Sequence, residues 1–128
     1  MINLLNVQTD VYNYLKSLGY TVTEEVKPET KCPYIRMSNT SVSTIGIKTN
    51  ESYSMLLYID IFSDYKGSKE VKEIAYTVQD SMMKHSFSTD SYSVDHSLYL
   101  MDFSTEDDPQ KDKKYRHGSL IYKLNIYE

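Results

Sequence analysis

The fold is decided by the stretch from Tyr53 to His85, which reads YSMLLYIDIFSDYKGSKEVKEIAYTVQDSMMKH. Its first part carries apolar residues at every second position (Tyr53, Met55, Leu57, Ile59 and Ile61), and a period of two is typical of a β-strand. After a turn that ends at Gly67, the apolar residues recur at helical spacing: Val71, Ile74, Ala75, Val78 and Met82. The stretch therefore predicts a strand over 52–63 and an amphipathic helix over 68–85 that packs on the sheet holding this strand.

Working outward, the pattern predicts one more helix and four more strands. Leu4, Val7, Val11, Leu15 and Leu18 share one helical face, so a helix is expected over 3–18, with Gly19 as its stop. The strands are expected over 20–26, 32–38, 92–103 and 116–127. The order α-β-β-β-α-β-β predicts an α+β fold, a mainly antiparallel sheet of about five strands with both helices packed on one face.

Length and linker content predict a single domain over residues 1–128, with two long polar segments between its strands. Residues 39–50 are rich in Ser, Thr and Asn, and residues 104–114 are acidic first and basic after. Both are predicted as long loops, which in compact domains are usually functional or disordered. An extended hairpin arm that orders against a partner is the alternative for residues 39–50.

Composition excludes several classes of function. The formal net charge of −4 weighs against binding to nucleic acid through a basic face, and no apolar run reaches the roughly 20 residues of a membrane helix. The one cysteine, Cys32, excludes an internal disulfide and fits a reducing compartment. Met1–Asn6 has no basic region and no cleavage-like site, so no signal peptide is expected. Together these features predict a soluble protein of a cytoplasm.

No residue pattern indicates a catalytic or metal site. His85, His96 and His117 lack metal-ligand spacing with one another or with Cys32, which itself has no predicted base. Asp60 and Asp64 flank the end of the central strand, but general acid–base chemistry needs two groups in a cleft, and no cleft is indicated. The run at 106–108 lacks the spacing and the glycine of a calcium loop. We therefore expect no enzyme, no metal and no cofactor.

A basic cluster lies just before and at the start of the last predicted strand and contains Lys111, Lys113, Lys114, Arg116 and His117. Beside DNA it would touch phosphates without reading sequence. The favoured interpretation is a charged loop stem, balanced by the acidic residues at 106–108 and by Asp112.

Several short motifs, in this order and spacing, carry a family resemblance: the N-terminal helix pattern, Pro33-Tyr34-Ile35, Asp60-Ile61-Phe62-Ser63, Gly67-Ser68-Lys69-Glu70-Val71 with Ile74, and Arg116-His117-Gly118-Ser119-Leu120-Ile121-Tyr122. Through them the chain resembles, over nearly its whole length, the tail completion (tail terminator) proteins of long-tailed, siphovirus-type bacteriophages.

The resemblance implies a structural virion protein without catalysis or cofactor. Such proteins form a ring, commonly hexameric, that caps the tail tube, ends tube growth and joins the tail to the head connector, and DNA passes through the ring without specific binding. The expected partners are copies of the chain itself, the tail tube protein and the head–tail connector protein. The expected location is the tail–head junction of the virion, and the host cytoplasm during assembly. A head-side connector or neck protein, and a small cytoplasmic protein-binding module, are the alternatives.

Ring and tube contacts are expected in the two polar segments, because heterologous contacts between subunits use loops and strand edges. The predicted contact residues are Thr44, Ile45, Ile47, Lys48, Glu106, Asp107, Asp108, Lys111, Lys113 and Lys114. Lys113 and Arg116 are the predicted DNA-facing residues.

Overall fold

The computed structural model describes residues 2–27, 29–46, 51–108 and 113–128, and it confirms the predicted α+β class and element order. The elements are α1 (Leu4–Ser17), β1 (Val22–Thr23), β2 (Tyr34–Thr44), β3 (Ser52–Ser63), α2 (Lys69–Lys84), β4 (Ser93–Asp108) and β5 (Lys113–Tyr127). Among the described residues the strands form a five-stranded sheet in the order β1-β2-β3-β5-β4.

The predicted central strand lies at the centre of the sheet. β3 pairs antiparallel with β2 on one side and with β5 on the other, and β4 pairs antiparallel with β5. The strand predicted over 20–26 is much shorter than expected: only Val22 and Thr23 form β1, which runs parallel to β2. The chain leaves the sheet after Thr23, where the hydroxyl of that residue accepts from the Glu25 N–H and closes a local turn.

Both helices bury their apolar stripes against the same face of the sheet. Asn3 caps α1 by accepting a hydrogen bond from the Leu5 N–H, and the helix buries Val7, Val11 and Leu15. The α2 residues that are buried are the five predicted ones: Val71, Ile74, Ala75, Val78 and Met82. They join one core cluster with the inward residues of β3 and β5, so the helix-facing side of the sheet is the main core.

The two predicted long loops are wrong over most of their length, because the strands on either side run into them. Residues 39–44 continue β2 and pair with β3 as far as Thr44 and Tyr53. Residues 104–108 continue β4, and β5 already begins at Lys113. The charge order explains the second hairpin: an acidic run followed by a basic run places Asp107 opposite Lys114 when the chain folds back antiparallel.

A register shift in β4 changes which residues face the core. Strict alternation would put Leu98 and Leu100 on one face, but the ladder shifts between these two residues. Tyr99 and Leu100 are therefore 69% and 48% exposed, and Met101 joins the residues packed against the core. A bulge of this kind is common at sheet edges, where it bends the strand.

Among the described residues, neither helix combines the length and the apolar character needed to cross a membrane.

Candidate functional site

The predicted contact residues lie at opposite ends of the sheet. Thr44 and Ile45 close the β2–β3 end, where the Ile45 N–H donates to the Ser52 carbonyl. Glu106, Asp107, Lys113 and Lys114 lie beyond the other end of β3, and the backbone of Asp108 pairs there with that of Lys113. β3 has 12 residues, so the two groups are separated by roughly 35 Å at about 3.3 Å per residue. Ile47, Lys48 and Lys111 fall outside the described residues.

The β4–β5 hairpin extends past the C-terminal end of β3 and forms a charged arm, residues 104–108 and 113–115. The last residue of β3, Ser63, lies opposite Arg116, and the pairing of β4 with β5 continues beyond this point to Asp108 and Lys113. Arg116 holds the base of the arm, because its guanidinium donates to the Thr105 hydroxyl at 2.9 Å and to the Lys66 carbonyl at 3.0 Å. The arm is thus fixed to the β3–α2 turn at its base.

A cationic cleft lies between this arm and the β3–α2 turn. Its volume is about 560 Å³, and it is lined by Asp64, Tyr65, Lys66, Lys113, Lys114 and Arg116. The structure therefore brings Lys113 and Arg116, the predicted DNA-facing residues, into one cleft. Lys113 has a partner there, because its ammonium lies 3.9 Å from the Asp64 carboxylate, and both side chains are about half exposed.

A buried carboxylate, Asp60, lies on the face of the sheet that the helices leave bare. Asp60 is only 5% exposed, and His117 Nε2 lies 2.8 Å from its Oδ1. The other ring nitrogen of His117, Nδ1, lies 2.9 Å from Glu106 Oε1 on the arm, and Arg36 approaches the second Asp60 oxygen at 3.6 Å. We call Arg36, Asp60, Glu106 and His117 the Asp60–His117 cluster.

An aromatic stack closes the cluster from one side. The Phe62 ring lies between His117, at a centroid distance of 4.5 Å and nearly parallel, and Tyr34, at 5.1 Å. The Arg36 guanidinium lies 5.5 Å from the centroid of the same ring. These contacts keep Phe62 at 8% exposure on a face that no helix covers, and they withdraw Asp60 and His117 from water.

Electrostatics fix the protonation of the cluster. Burial alone would raise the pKa of Asp60, but the hydrogen bonds from His117 and Ser119 and the charges of His117 and Arg36 outweigh it, so the pKa is lowered. The hydrogen bond to Asp60 raises the pKa of His117; burial opposes this, and the charges of Asp60 and Glu106 add to it. Both shifts favour the charged forms, with an imidazolium between two carboxylates.

This arrangement does not suit general-base chemistry. Both ring nitrogens of His117 face carboxylate oxygens, so both must carry a proton and donate. A base needs a nitrogen lone pair aimed at a substrate, and neither nitrogen offers one. The cluster instead ties the arm, through Glu106, to the central strand, through Asp60.

Sequence reasoning missed this cluster because its members are distant along the chain. Asp60 and His117 are 57 positions apart, and the pattern of each strand alone gives neither residue a partner. The pairing register of β3 and β5 is what brings the two residues together. Phe62 lies opposite His117 in the antiparallel ladder, and Asp60, two residues before Phe62, has its side chain on the same face. Asp60 and Asp64, the carboxylates near the end of the central strand, have different partners: Asp60 contacts His117, and Asp64 lies near Lys113.

The other candidate groups have structural partners. His85 stacks on Tyr14 at 3.9 Å, and His96 Nε2 lies 2.5 Å from the Met82 carbonyl. Cys32 immediately precedes Pro33 near the start of β2 and is partly buried. Over residues 2–27, 29–46, 51–108 and 113–128, no group of three or more His, Cys, Asp and Glu side chains is arranged to hold a metal ion.

Two edges of the sheet are open to further pairing. β4 is the last strand on one side, so no strand among the described residues pairs with its outer edge. On the other side β1 pairs only with Ile35 and Arg36 of β2, which leaves the outer edge of β2 from Met37 to Thr44 without a strand in the described part of the chain. Exposed strand edges are templates for pairing with another chain.

Comparison with known proteins shows that this chain shares its fold with a protein of solved structure. The chain matches no family model and no curated protein. Among solved structures, it is similar to a chain of the virion of a native gene transfer agent (GTA) particle. The TM-score is 0.73, the sequence identity is 18%, and the match covers 94% of each chain. At this identity the likeness shows that the two chains have the same fold.

Proposed function

We propose that this protein is a structural component of a virion: a tail terminator that forms a ring on the tail tube, ends tube growth and joins the tail to the head connector. The observation that carries the proposal is the fold shared, end to end, with a chain of a virion particle. The resemblance of its ordered motifs to phage tail completion proteins supports the terminator role in particular. The host cytoplasm is the proposed site of assembly.

The geometry of the chain suits assembly. The sheet has open edges on both sides, and the charged arm extends beyond β3. Ring subunits need two different surfaces that fit one another, together with elements that reach a partner above or below the ring. The Asp60–His117 cluster holds the arm to the sheet and so gives it a defined direction.

We assign the arm to contact with the tube or the connector. Its acidic residues Glu106 and Asp107 lie on β4 and its basic residues Lys113 and Lys114 lie on β5, which favours a polar partner surface of matching pattern. Lys113 and Arg116 would meet passing DNA only weakly, since each already has a partner within the chain. A weak contact suits a lumen through which DNA must move.

Electron microscopy of the purified protein mixed with tail tubes of the same particle tests the proposal. The expected result is a ring at one end of each tube, commonly of six subunits, and a narrower distribution of tube lengths when the protein is present during tube assembly. Tubes assembled without the protein give the reference distribution.

A second sample, of portal-bearing heads without tails, separates the terminator from the neck protein. Binding to heads and not to tubes would replace the proposed role with that of a head-side connector. Binding to neither would overturn a virion role and favour a small protein-binding module.

A further inference from the structure

We propose that the outer edge of β4 in one copy pairs antiparallel with the outer edge of β2 in the next copy, so that the sheet continues from subunit to subunit. This inference rests on the proposed ring and names the surface that closes it. The segments that meet are residues 93–98 of β4 and residues 39–44 of β2.

Neither edge segment carries the lysine or proline that often protects a free strand edge, although bulges and other charged side chains serve the same purpose. β4 reads SVDHSLYLMDFSTEDD and contains neither residue, and the β2 segment from Asn39 to Thr44, NTSVST, contains neither as well. Ser88 Oγ already accepts from the Val94 N–H at 2.9 Å, and both edge strands carry a bulge, so a neighbouring copy would pair with the remaining positions of each segment.

The two segments lie at the same level along the direction of the strands. The bulge at Tyr99 ends the regular ladder that begins at Ser93. Through the pairing of β3 and β5, Thr44 lies level with Val94, and Asn39 lies level with Leu98. Because of the bulge between Asn39 and Ser41, six residues of β2 therefore lie level with five residues of β4, at the same end of the sheet.

Strand direction favours this pairing in a ring. β2 and β5 run one way, and β3 and β4 run the other way. Copies related by rotation about an axis along the strands keep these directions, so β4 meets the β2 of the next copy as an antiparallel neighbour. The alternation within the sheet is thus continued across the contact.

Charge favours the contact between unlike edges over self-pairing of β4. β4 contains five acidic residues and no Lys or Arg (Asp95, Asp102, Glu106, Asp107 and Asp108). Within the segments that meet, Asp95 is the one acidic residue of β4, and residues 39–44 of β2 contain no charged residue. Two β4 edges brought together would place like charges side by side, which is destabilising, whereas β4 against β2 avoids this. A contact of unlike surfaces is what a closed ring of more than two copies requires.

Exposed apolar side chains mark both edges. Val42 on β2 is 45% exposed, and Tyr99 and Leu100 next to the β4 segment are 69% and 48% exposed. A neighbouring copy would cover these side chains, and aromatic residues are enriched at the centres of protein interfaces.

Cysteine crosslinking on tubes tests the pairing. Ser41 and Ser97 are exposed and lie level with each other on the two edges, so the double variant Ser41→Cys/Ser97→Cys should crosslink between copies with a short bis-maleimide. Ser43→Cys/Ser97→Cys tests a pairing register shifted by two residues. The expected product is a ladder of covalent oligomers up to the size of the ring. Each single variant and the wild type, which carries only Cys32, should give none.

The outcomes separate this inference from the proposed function. Rings on tubes with no ladder from either double variant overturn the edge pairing and leave the terminator role in place. Covalent dimers from Ser97→Cys or Ser41→Cys, each in a Cys32→Ser background, show like-edge pairing and also overturn it. Absence of rings on tubes removes the proposed function, and the inference with it.

A charge placed on the edge gives a second readout. Tyr99→Lys should reduce ring occupancy on tubes at least tenfold while leaving the thermal melt of the free protein near that of the wild type, because the side chain is exposed. Tyr76→Lys is the matched control: Tyr76 is 55% exposed and lies on α2, outside the segments 93–98 and 39–44, and should leave occupancy unchanged. Equal loss in both variants, or in neither, would overturn the inference.

Discussion

The two faces of the sheet bury their residues in different ways. On the helix side, β3 contributes Met55, Leu57, Ile59 and Ile61, which are at most 1% exposed because two helices cover them. On the bare side, the same strand contributes Asp60, which is buried only because neighbouring side chains cover it and bond to it. Burial on the first side depends on apolar area, and burial on the second depends on a few specific partners.

The largest expected effect tests the helix side. Leu57→Ala removes a side chain that is fully buried under the helices, and we expect the free energy of unfolding to fall by about 2–5 kcal/mol. Chemical denaturation monitored by circular dichroism measures it.

Leu56→Ala is the matched control on the neighbouring position of the same strand. Leu56 points to the bare face and is partly exposed, so its truncation should cost clearly less. Equal losses for the two leucines would show that the bare face is covered as fully as the helix face in solution.

A smaller effect is expected at the carboxylate of the bare side. Asp60→Asn keeps the shape of the side chain but removes the charge that the imidazolium and Arg36 face. We expect a loss of about 1.5–3 kcal/mol, the usual size for hydrogen bonds to charged groups. Urea denaturation at pH 6 measures it.

Asp102→Asn is the corresponding control. Asp102 and Asp60 both lie opposite Ser119 in the ladders, one on each side of β5, but Asp102 is exposed. Its change should cost little, and a loss as large as that of Asp60→Asn would mean that the cluster adds nothing beyond ordinary surface charge.

The helix side could be predicted from the sequence almost completely. The periods of two and of three to four residues depend only on the local backbone, so the alternation in β3 and the stripe of α2 directly identified Leu57 and Val78 as core residues. The exposed half of β2 was not recognised as a strand. No helix covers it, so its residues show no apolar alternation, and Val42 remains exposed there.

The bare side could not be predicted in the same way, because it depends on register. The contact of Asp60 with His117 exists only once β3 and β5 are aligned, and a shift of one residue would turn one of them to the other face. The arm shows the same dependence: its acidic and basic runs are separate features of the sequence, and only antiparallel pairing sets Asp107 opposite Lys114.

The smallest effect, the dependence of stability on pH, also distinguishes the two faces. The pKa of His117 is raised from its ordinary value of 6.5, so its contribution is fully present below about pH 6.5 and is lost as the pH rises through the folded-state pKa. The pKa of Asp60 is lowered from its ordinary value of 3.8, so its contribution is present above about pH 4 and is lost as the pH falls through the folded-state pKa. Both contributions are present together between about pH 4 and 6.5, and thermal melts from pH 3 to 9 should show that optimum.

His117→Asn isolates the alkaline side of this profile. The variant is less stable at pH 6, because Asp60 loses the imidazolium, but its stability should fall less than that of the wild type between pH 6 and 9, since the titrating group is gone. Asp60→Asn should also reduce the loss of stability between pH 6 and 9, because it removes the partner that raises the pKa of His117. Leu57→Ala acts on the apolar side alone, so it should lower the whole curve without changing its shape. A His117→Asn profile as steep as that of the wild type over this range would mean that the alkaline loss arises elsewhere and that the bare face is not held by the charged pair.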